Sequence, residues 1–156
     1  MSNKMRYRYG PLEMRSVKKT GTVAIELGDM IKETSAGKCA AVSASADADD
    51  LIGIAMSASP ATDATATTIR IAAIGHGTVF EMIAASATYY YGDGFAISAA
   101  QTLVKYDGTV TYATATNVVA MCIKDGTTAG ASTSTSIGTV LVSFKPGLMN
   151  KEIATS

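Results

Sequence analysis

The sequence predicts an all-β fold: a compact β-barrel or β-tulip-like domain built from two weakly similar β-lobes, preceded by an extended N-terminal arm. Three observations predict it. Segments of four to seven residues rich in Ile, Val and Thr recur between Gly and Asp punctuation. No window keeps apolar residues at helical spacing over three turns. The order of segments after residue 22 occurs twice.

Taken in order, Thr22 to Leu27 reads as a strand closed by the turn signal Gly28-Asp29. Leu51 to Met56 is a short apolar run, and Thr68 to Ile74 carries β-branched residues up to Gly75-His76-Gly77. Thr78 to Ile83 follows, then Tyr89-Tyr90-Tyr91 runs into Gly92-Asp93-Gly94 and Phe95 to Ile97. Leu103 to Tyr106 and Thr109 to Tyr112 flank Asp107-Gly108, a strong two-residue hairpin signal. Val118 to Lys124 stops at Asp125-Gly126, and Thr139 to Phe144 stops at Pro146-Gly147. Ala84 to Thr88 and Ser98 to Gln101 each have room for one helical turn and no more.

The repeat pairs Gly28-Asp29 with Gly92-Asp93 at an offset of 64. Leu51 to Met56 pairs with Val118 to Ile123 at 67, and Ile69 to Ile74 with Thr139 to Phe144 at 70. Each half runs through a Gly-Asp turn, a polar hairpin, an apolar strand, a Ser/Thr/Ala loop and a β-branched strand. Two copies cannot make a solenoid, so they predict two lobes on one core. The loops 57–66 and 127–136 are low in complexity and cannot build a core themselves.

Composition bounds the rest. With 156 residues the chain is one domain or two small lobes sharing a core. Alanine, serine and threonine supply 60 residues, against 12 Ile, 10 Val, 6 Leu, 3 Phe and no Trp. So thin a core suggests that packing against partners supplies part of the stability. The 13 basic and 13 acidic residues balance, which gives no global electrostatic case for nucleic acid. No run reaches the roughly 18 apolar residues of a membrane span, and no signal peptide is evident. Synthesis in a cytoplasm is expected. Cys39 and Cys122 lie in apolar segments without metal-ligand spacing and are expected to be buried free thiols.

Charge divides the chain into a basic arm (1–22), a β-core (23–147) and a C-terminal tail (148–156). Residues 1–22 hold six basic residues against Glu13, a net +5, and the remainder is −5. Such asymmetry marks a terminal segment that touches something acidic, unless it is a solvated tail. Arg6-Tyr7-Arg8-Tyr9 favours docking, because Arg and Tyr are enriched at interfaces.

Little in the sequence carries chemistry. The single histidine, His76, sits between glycines and lacks a nucleophile or orienting group, so no enzyme activity is expected. Asp47-Ala48-Asp49-Asp50 resembles the opening of a calcium loop. It places Ile52 where that loop needs Gly and Ala58 where it needs Glu, so a solvated acidic turn is expected. No cofactor or metal is expected. If residues 89–91 form a strand, Tyr89 and Tyr91 share one face, as barrel packing or as an exposed aromatic contact.

Leu27-Gly28-Asp29, Leu51-Ile52-Gly53-Ile54-Ala55, Ile69-Arg70-Ile71 and Gly92-Asp93 together resemble a family of small tailed-phage head proteins that decorate the capsid. The resemblance spans roughly residues 22–145. It implies a β-barrel or β-tulip subunit, often trimeric, seated at three-fold positions on the outside of the shell, with the major capsid protein as partner. The basic arm departs from the shortest members. Arg6, Tyr7, Arg8, Tyr9, Arg15, Lys18 and Lys19 are then the candidate docking residues, with Tyr89 and Tyr91 beside them. A head-fibre or receptor-binding module for a host glycan, and a tail-tube or minor virion subunit, are the alternatives.

Overall fold

A computed structural model describes residues 4–21, 23–35, 37–61, 67–74, 77–85, 88–106, 118–124, 126–127 and 137–144. The strands in chain order are β1 (Met5–Tyr9), β2 (Met14–Lys19), β3 (Met30–Ser35), β4 (Lys38–Ala41), β5 (Leu51–Ala55), β6 (Thr68–Ala73) and β7 (Val79–Ala85). They continue as β8 (Thr88–Tyr89), β9 (Gly94–Ala99), β10 (Thr102–Tyr106), β11 (Val118–Cys122), β12 (Gly126–Thr127) and β13 (Ile137–Phe144). One 3-10 turn, Ser45–Asp50, precedes β5. The protein is all-β, as its sequence predicts. His76, the Asp107-Gly108 hairpin, the strand expected over 109–112, residues 62–66 and 128–136 of the two loops and the tail from 145 lie outside the described residues.

Among the described residues the strands form a barrel, a six-stranded sheet and a short antiparallel pair of β8 with β12. Strands β2-β4-β3-β5-β6 close into a barrel in which β6 returns to β2. Strands β1-β7-β13-β11-β9-β10 form a six-stranded sheet. The lobes have one topology: β7, β9, β10, β11 and β13 pair in the same order as β2, β3, β4, β5 and β6. They differ at one seam. The barrel closes through the parallel pair Lys18↔Lys38 and Lys19↔Cys39, whereas in the second lobe β1 lies on the free side of β7.

Backbone hydrogen bonds make the repeat explicit. Gly28 N–H donates to the Ala55 carbonyl at 2.9 Å, and Ala55 N–H to that of Asp29 at 2.8 Å. Gly92 N–H donates to Cys122 and Cys122 N–H to Asp93, both at 2.8 Å. Offsets of 64 and 67 are therefore those of the fold. The third is not. Ala55 faces Ile71 while Cys122 faces Val142, so Ile71 corresponds to Val142 at an offset of 71 rather than 70. A one-residue slip exchanges the two faces of a strand. At 71 the buried Ile69, Ile71 and Ala73 meet the buried Val140, Val142 and Phe144.

The N-terminal arm is no arm. Met5-Arg6-Tyr7-Arg8-Tyr9 alternates with period two and pairs antiparallel with β7, Met5 opposite Met82 and Tyr7 opposite Phe80. Met14 to Lys18 pair with Ala72 to Thr68 in the barrel. The boundary at residue 22 marks a change in charge and not in structure, because the burial of Met5 and Lys19 ties this segment into both sheets. Residues 23–29 form no strand either. Ile25 makes a single bridge to Ser59 and its side chain plugs the barrel, 1% exposed.

The larger core lies between the barrel and the second sheet. It joins Met30, Val42, Leu51 and Ile54 to Phe80, Met82, Phe95 and Val142. A smaller core of Ile25, Ile31, Cys39, Ala55, Ile69 and Ile71 fills the barrel. Most of these side chains are Ile, Val, Leu, Met or Phe, so the fold gathers the large residues the composition holds into its two cores. At about 25 cal/mol per Å² of buried apolar surface, alanines contribute little each.

Candidate interaction surface

Strand alternation sorts the first group of predicted residues. On β1, Tyr7 turns to the core, packs edge-on against Phe80 (centroids 6.3 Å apart) and donates its hydroxyl to the Gly10 carbonyl at 2.6 Å. Arg6 and Arg8 point the other way, and both are exposed. Arg6 stands opposite Glu81 in the ladder, and Arg8 Nε lies 3.4 Å from a Glu81 carboxylate oxygen. Tyr9, 54% exposed, ends the strand. Charged side chains on an edge strand guard it against unplanned pairing, so this row has a structural role as well as an available surface.

Strand β2 divides its three basic residues among three environments. Lys19 is fully buried, and its ammonium donates to Ser59 Oγ and to the Pro60 carbonyl, both at 2.9 Å. It therefore cannot dock a partner. Its side chain pins the 57–60 segment against the barrel. Arg15 stands at the barrel mouth, where its guanidinium donates to Glu13 Oε1 at 2.8 and 3.0 Å. Lys18 projects from the outer face beside Lys38. Like charges side by side on neighbouring strands cost a few tenths to about 1 kcal/mol. Neither lysine has a carboxylate partner among the described residues.

The mouth itself is hollow. A recess of about 280 Å³ has Val17, Ile52 and Ile71 as its floor and Arg15, Glu33 and Lys38 at its rim. Lys38 was not legible as a site residue, since only the parallel ladder brings it to β2. The signal that existed was its place in the polar hairpin 30–41.

The tyrosine triplet is not a strand. β8 ends at Tyr89, and the Asp93 carboxylate accepts the Tyr90 N–H at 2.8 Å, which turns the chain there. Alternation stops at that point. Tyr89 is buried against Phe95 (centroids 5.5 Å apart), and burial pushes its phenol above the ordinary range. Tyr90 and Tyr91 are 58% and 69% exposed, and Lys105 Nζ lies 5.6 Å from the Tyr90 ring. Tyr91 is thus a surface candidate and Tyr89 is not.

The repeat points to a residue overlooked in the sequence. The offset of 64 places Leu27 on Tyr91, and Leu27 is 62% exposed at the tip of an equivalent turn. Asp29 accepts the Glu26 N–H at 2.8 Å as Asp93 accepts that of Tyr90. Each turn is also braced by a lysine: Lys4 pairs with Asp29 and with Glu26, and Lys105 with Asp93 at 2.9 Å. Hydrogen bonding to Tyr90 N–H, helped by Lys105, holds the Asp93 carboxyl below its usual range. Both lobes therefore present one large apolar side chain on a braced tip.

Asp47 is no solvated acid. Burial alone would raise its pKa, but the Lys32 ammonium at 2.8 Å and the N–H groups of Ser43 and Ala44 hold it below the usual value. The carboxylate fastens the 3-10 turn to β3, with Ala48 buried beneath. Cys39 and Cys122 are buried free thiols, and burial pushes Cys39 up to about 11.

No protein-family model matches the chain, and no curated protein matches it.

Proposed function

We propose that this protein is a structural virion subunit that binds the outer surface of a phage capsid and stabilises it, without enzymatic activity. The observation that carries this reading is the pair of tips. Leu27 and Tyr91 occupy one position of two equivalent turns, both exposed, so a single chain offers the same kind of contact twice. A lattice of repeated capsid subunits is the partner for which such duplication is useful. The alanine-rich composition and the resemblance carried by Leu27-Gly28-Asp29, Leu51 to Ala55, Ile69 to Ile71 and Gly92-Asp93 support the same reading.

Binding only the mature shell stabilises it by mass action, because the subunit adds free energy to the state it recognises and none to the others. In this reading the subunit is a trimer at three-fold positions, and Arg6, Arg8, Tyr9, Arg15, Lys18, Leu27 and Tyr91 face the shell or a neighbouring copy. Lys19 and Tyr89 take no part. A chain lacking residues 1–20 would lose β1 from the six-stranded sheet and β2 from the barrel, so truncation does not isolate the basic residues.

Co-sedimentation of the purified protein with expanded capsids that lack it is the test. Saturable binding at a whole-number ratio to the major capsid protein, with added resistance to heat, is the expected result. Tubes formed by the protein alone would instead support a tail subunit. One observation favours a second reading: Tyr90 and Tyr91 lie exposed beside Lys105, a surface suited to stacking on a sugar ring. In that case the Tyr91→Ala protein would lose adsorption to host cells while still failing to bind capsids.

A further inference from the structure

The two lobes use the same ladder positions differently, and the difference lies at the barrel mouth. Arg15 faces Ile71 in the barrel as Phe80 faces Val142 in the second sheet. Ile71 and Val142 are equivalent, so Arg15 stands where the second lobe has Phe80. By the same registers Glu33 stands where the second lobe has Ile97, and Lys38 where it has Thr102. In the second lobe the place is filled from within. Phe80 is 1% exposed, with Tyr7 packed on one side and Phe144 on another. In the barrel Arg15 turns away to Glu13, and the recess over Val17, Ile52 and Ile71 stays open.

Charge at the rim has a direction. Arg15 and Lys38 line the opening and Lys18 lies beside Lys38 on the outer face, with Glu33 the one acid among the described lining residues. Arg70 adds a fourth positive group on the outer face, two residues along β6 from Thr68, the partner of Lys18. Two lysines set side by side, with no acid paired to them among the described residues, repel each other, and an incoming carboxylate removes that repulsion. The recess of about 280 Å³ falls below the size usual for a drug-like ligand and has room for one aromatic or aliphatic side chain.

We propose that the barrel mouth is a socket for a partner protein's acidic segment, which inserts one aromatic or aliphatic side chain over Val17, Ile52 and Ile71 and sets its carboxylates on Lys18 and Lys38. The inserted side chain plays from outside the part that Phe80 plays from inside the second lobe. The inference deepens the capsid-binding reading and rests on it for the identity of the partner, while the chemistry of the socket stands on its own.

The test uses the full chain and two measurements. The first is methyl NMR with the blocked tripeptide Glu-Phe-Glu as probe. Shifts at Val17, Ile52 and Ile71 that saturate with peptide are expected. They should vanish in Arg15→Phe, which fills the recess from within, and weaken by about tenfold in Lys38→Glu. Lys38→Glu should also raise the thermal midpoint, since it turns a repulsive pair into an attractive one. Should Arg15→Phe fail to fold, Lys38→Thr, carrying the second lobe's own residue, decides: it should weaken peptide binding, though less than Lys38→Glu, and unchanged affinity in both Lys38 variants would overturn the proposal. No peptide shifts, shifts undiminished in a folded Arg15→Phe protein, or shifts produced instead by an oligonucleotide would overturn the proposal. The second measurement is capsid co-sedimentation of the same variants. If wild type binds and both Arg15→Phe and Lys38→Thr bind equally well, the socket is wrong and decoration stands. If wild type ignores capsids while the peptide still seats, decoration is wrong and the socket stands.

Discussion

Gln101 hydrogen-bonds both backbone groups of Met30. Its amide oxygen accepts the Met30 N–H at 2.7 Å, and its amide nitrogen donates to the Met30 carbonyl at 2.8 Å and to that of Val42 at 3.1 Å. Gln101 sits at the tip of the β9–β10 hairpin in the left-handed region, φ 50°, where the equivalent hairpin of the barrel has Gly37, φ 74°. One lobe therefore holds the other by mimicking a strand residue alongside β3. The side chain that does so accepts an unfavourable backbone conformation. Gln101→Ala leaves the Met30 N–H without its acceptor and should cost about 1–3 kcal/mol. Urea unfolding measures this, and an unchanged midpoint would show that the lobes are held by apolar packing alone.

Gly28 and Gly92 test the repeat against its one asymmetry. Both have positive φ, 88° and 93°. A Cβ on Gly28 would lie 2.7 Å from the Met5 carbonyl oxygen, whereas one on Gly92 meets nothing within 4 Å. Gly92→Ala should cost about 1 kcal/mol of backbone strain, and Gly28→Ala distinctly more because β1 must also shift. Equal losses in thermal unfolding would mean that β1 does not press on the 26–29 turn.

Lys19 separates burial from docking. Lys19→Ala removes two hydrogen bonds and leaves a void, with an expected cost of about 2–4 kcal/mol. Lys19→Met keeps the volume without the charge and should cost less. Both proteins should bind partners as wild type does at temperatures where they remain folded. Weakened binding by a fully folded Lys19→Met protein would return Lys19 to the surface.

Asp47 gives the stability a pH dependence of defined sign. Its folded pKa lies below the unfolded value near 3.8. Its contribution is therefore complete above the unfolded value and is lost as pH falls through the lower folded one. The gap in thermal midpoint between wild type and Asp47→Asn should be constant from pH 7 to about pH 5 and close below about pH 4. A gap that widened in acid would show that the bonds to Lys32, Ser43 and Ala44 do not hold the ionised carboxyl.

The thiols report opening of each lobe. Cys39 lies in the barrel and Cys122 in the second core, both at 0% exposure. An aromatic disulfide reagent should label neither in the native protein and both in denaturant. If Cys39 reacts natively, the barrel opens along the short β2–β4 seam before the second sheet does.

Sequence alone determined the class of this protein and most of its strands. Ile, Val and Thr runs punctuated by Gly and Asp became β5, β6, β7, β9, β10, β11 and β13. Local chemistry suffices there, because a Gly-Asp turn and a half-buried strand are specified within a few residues. The offsets of 64 and 67 were legible for the same reason: they align turns and apolar runs. The third offset was not. Choosing 71 over 70 needs the face of each side chain, and that is set by the strand across the ladder. Met5 to Tyr9 carried its alternation in plain view, but its charge drew attention from its period of two.

Tertiary structure decided the rest, through contacts between residues far apart in the chain. Lys19 is buried because Ser59 and Pro60 close over it, and no property of Lys18-Lys19 tells the two lysines apart. Tyr89 is buried and Tyr91 exposed because Asp93 captures the Tyr90 N–H and ends the alternation between them. Lys38 reaches Lys18 only through a parallel pairing that closes the barrel. Whether a charge is a staple or a surface depends on which strand lies beside it.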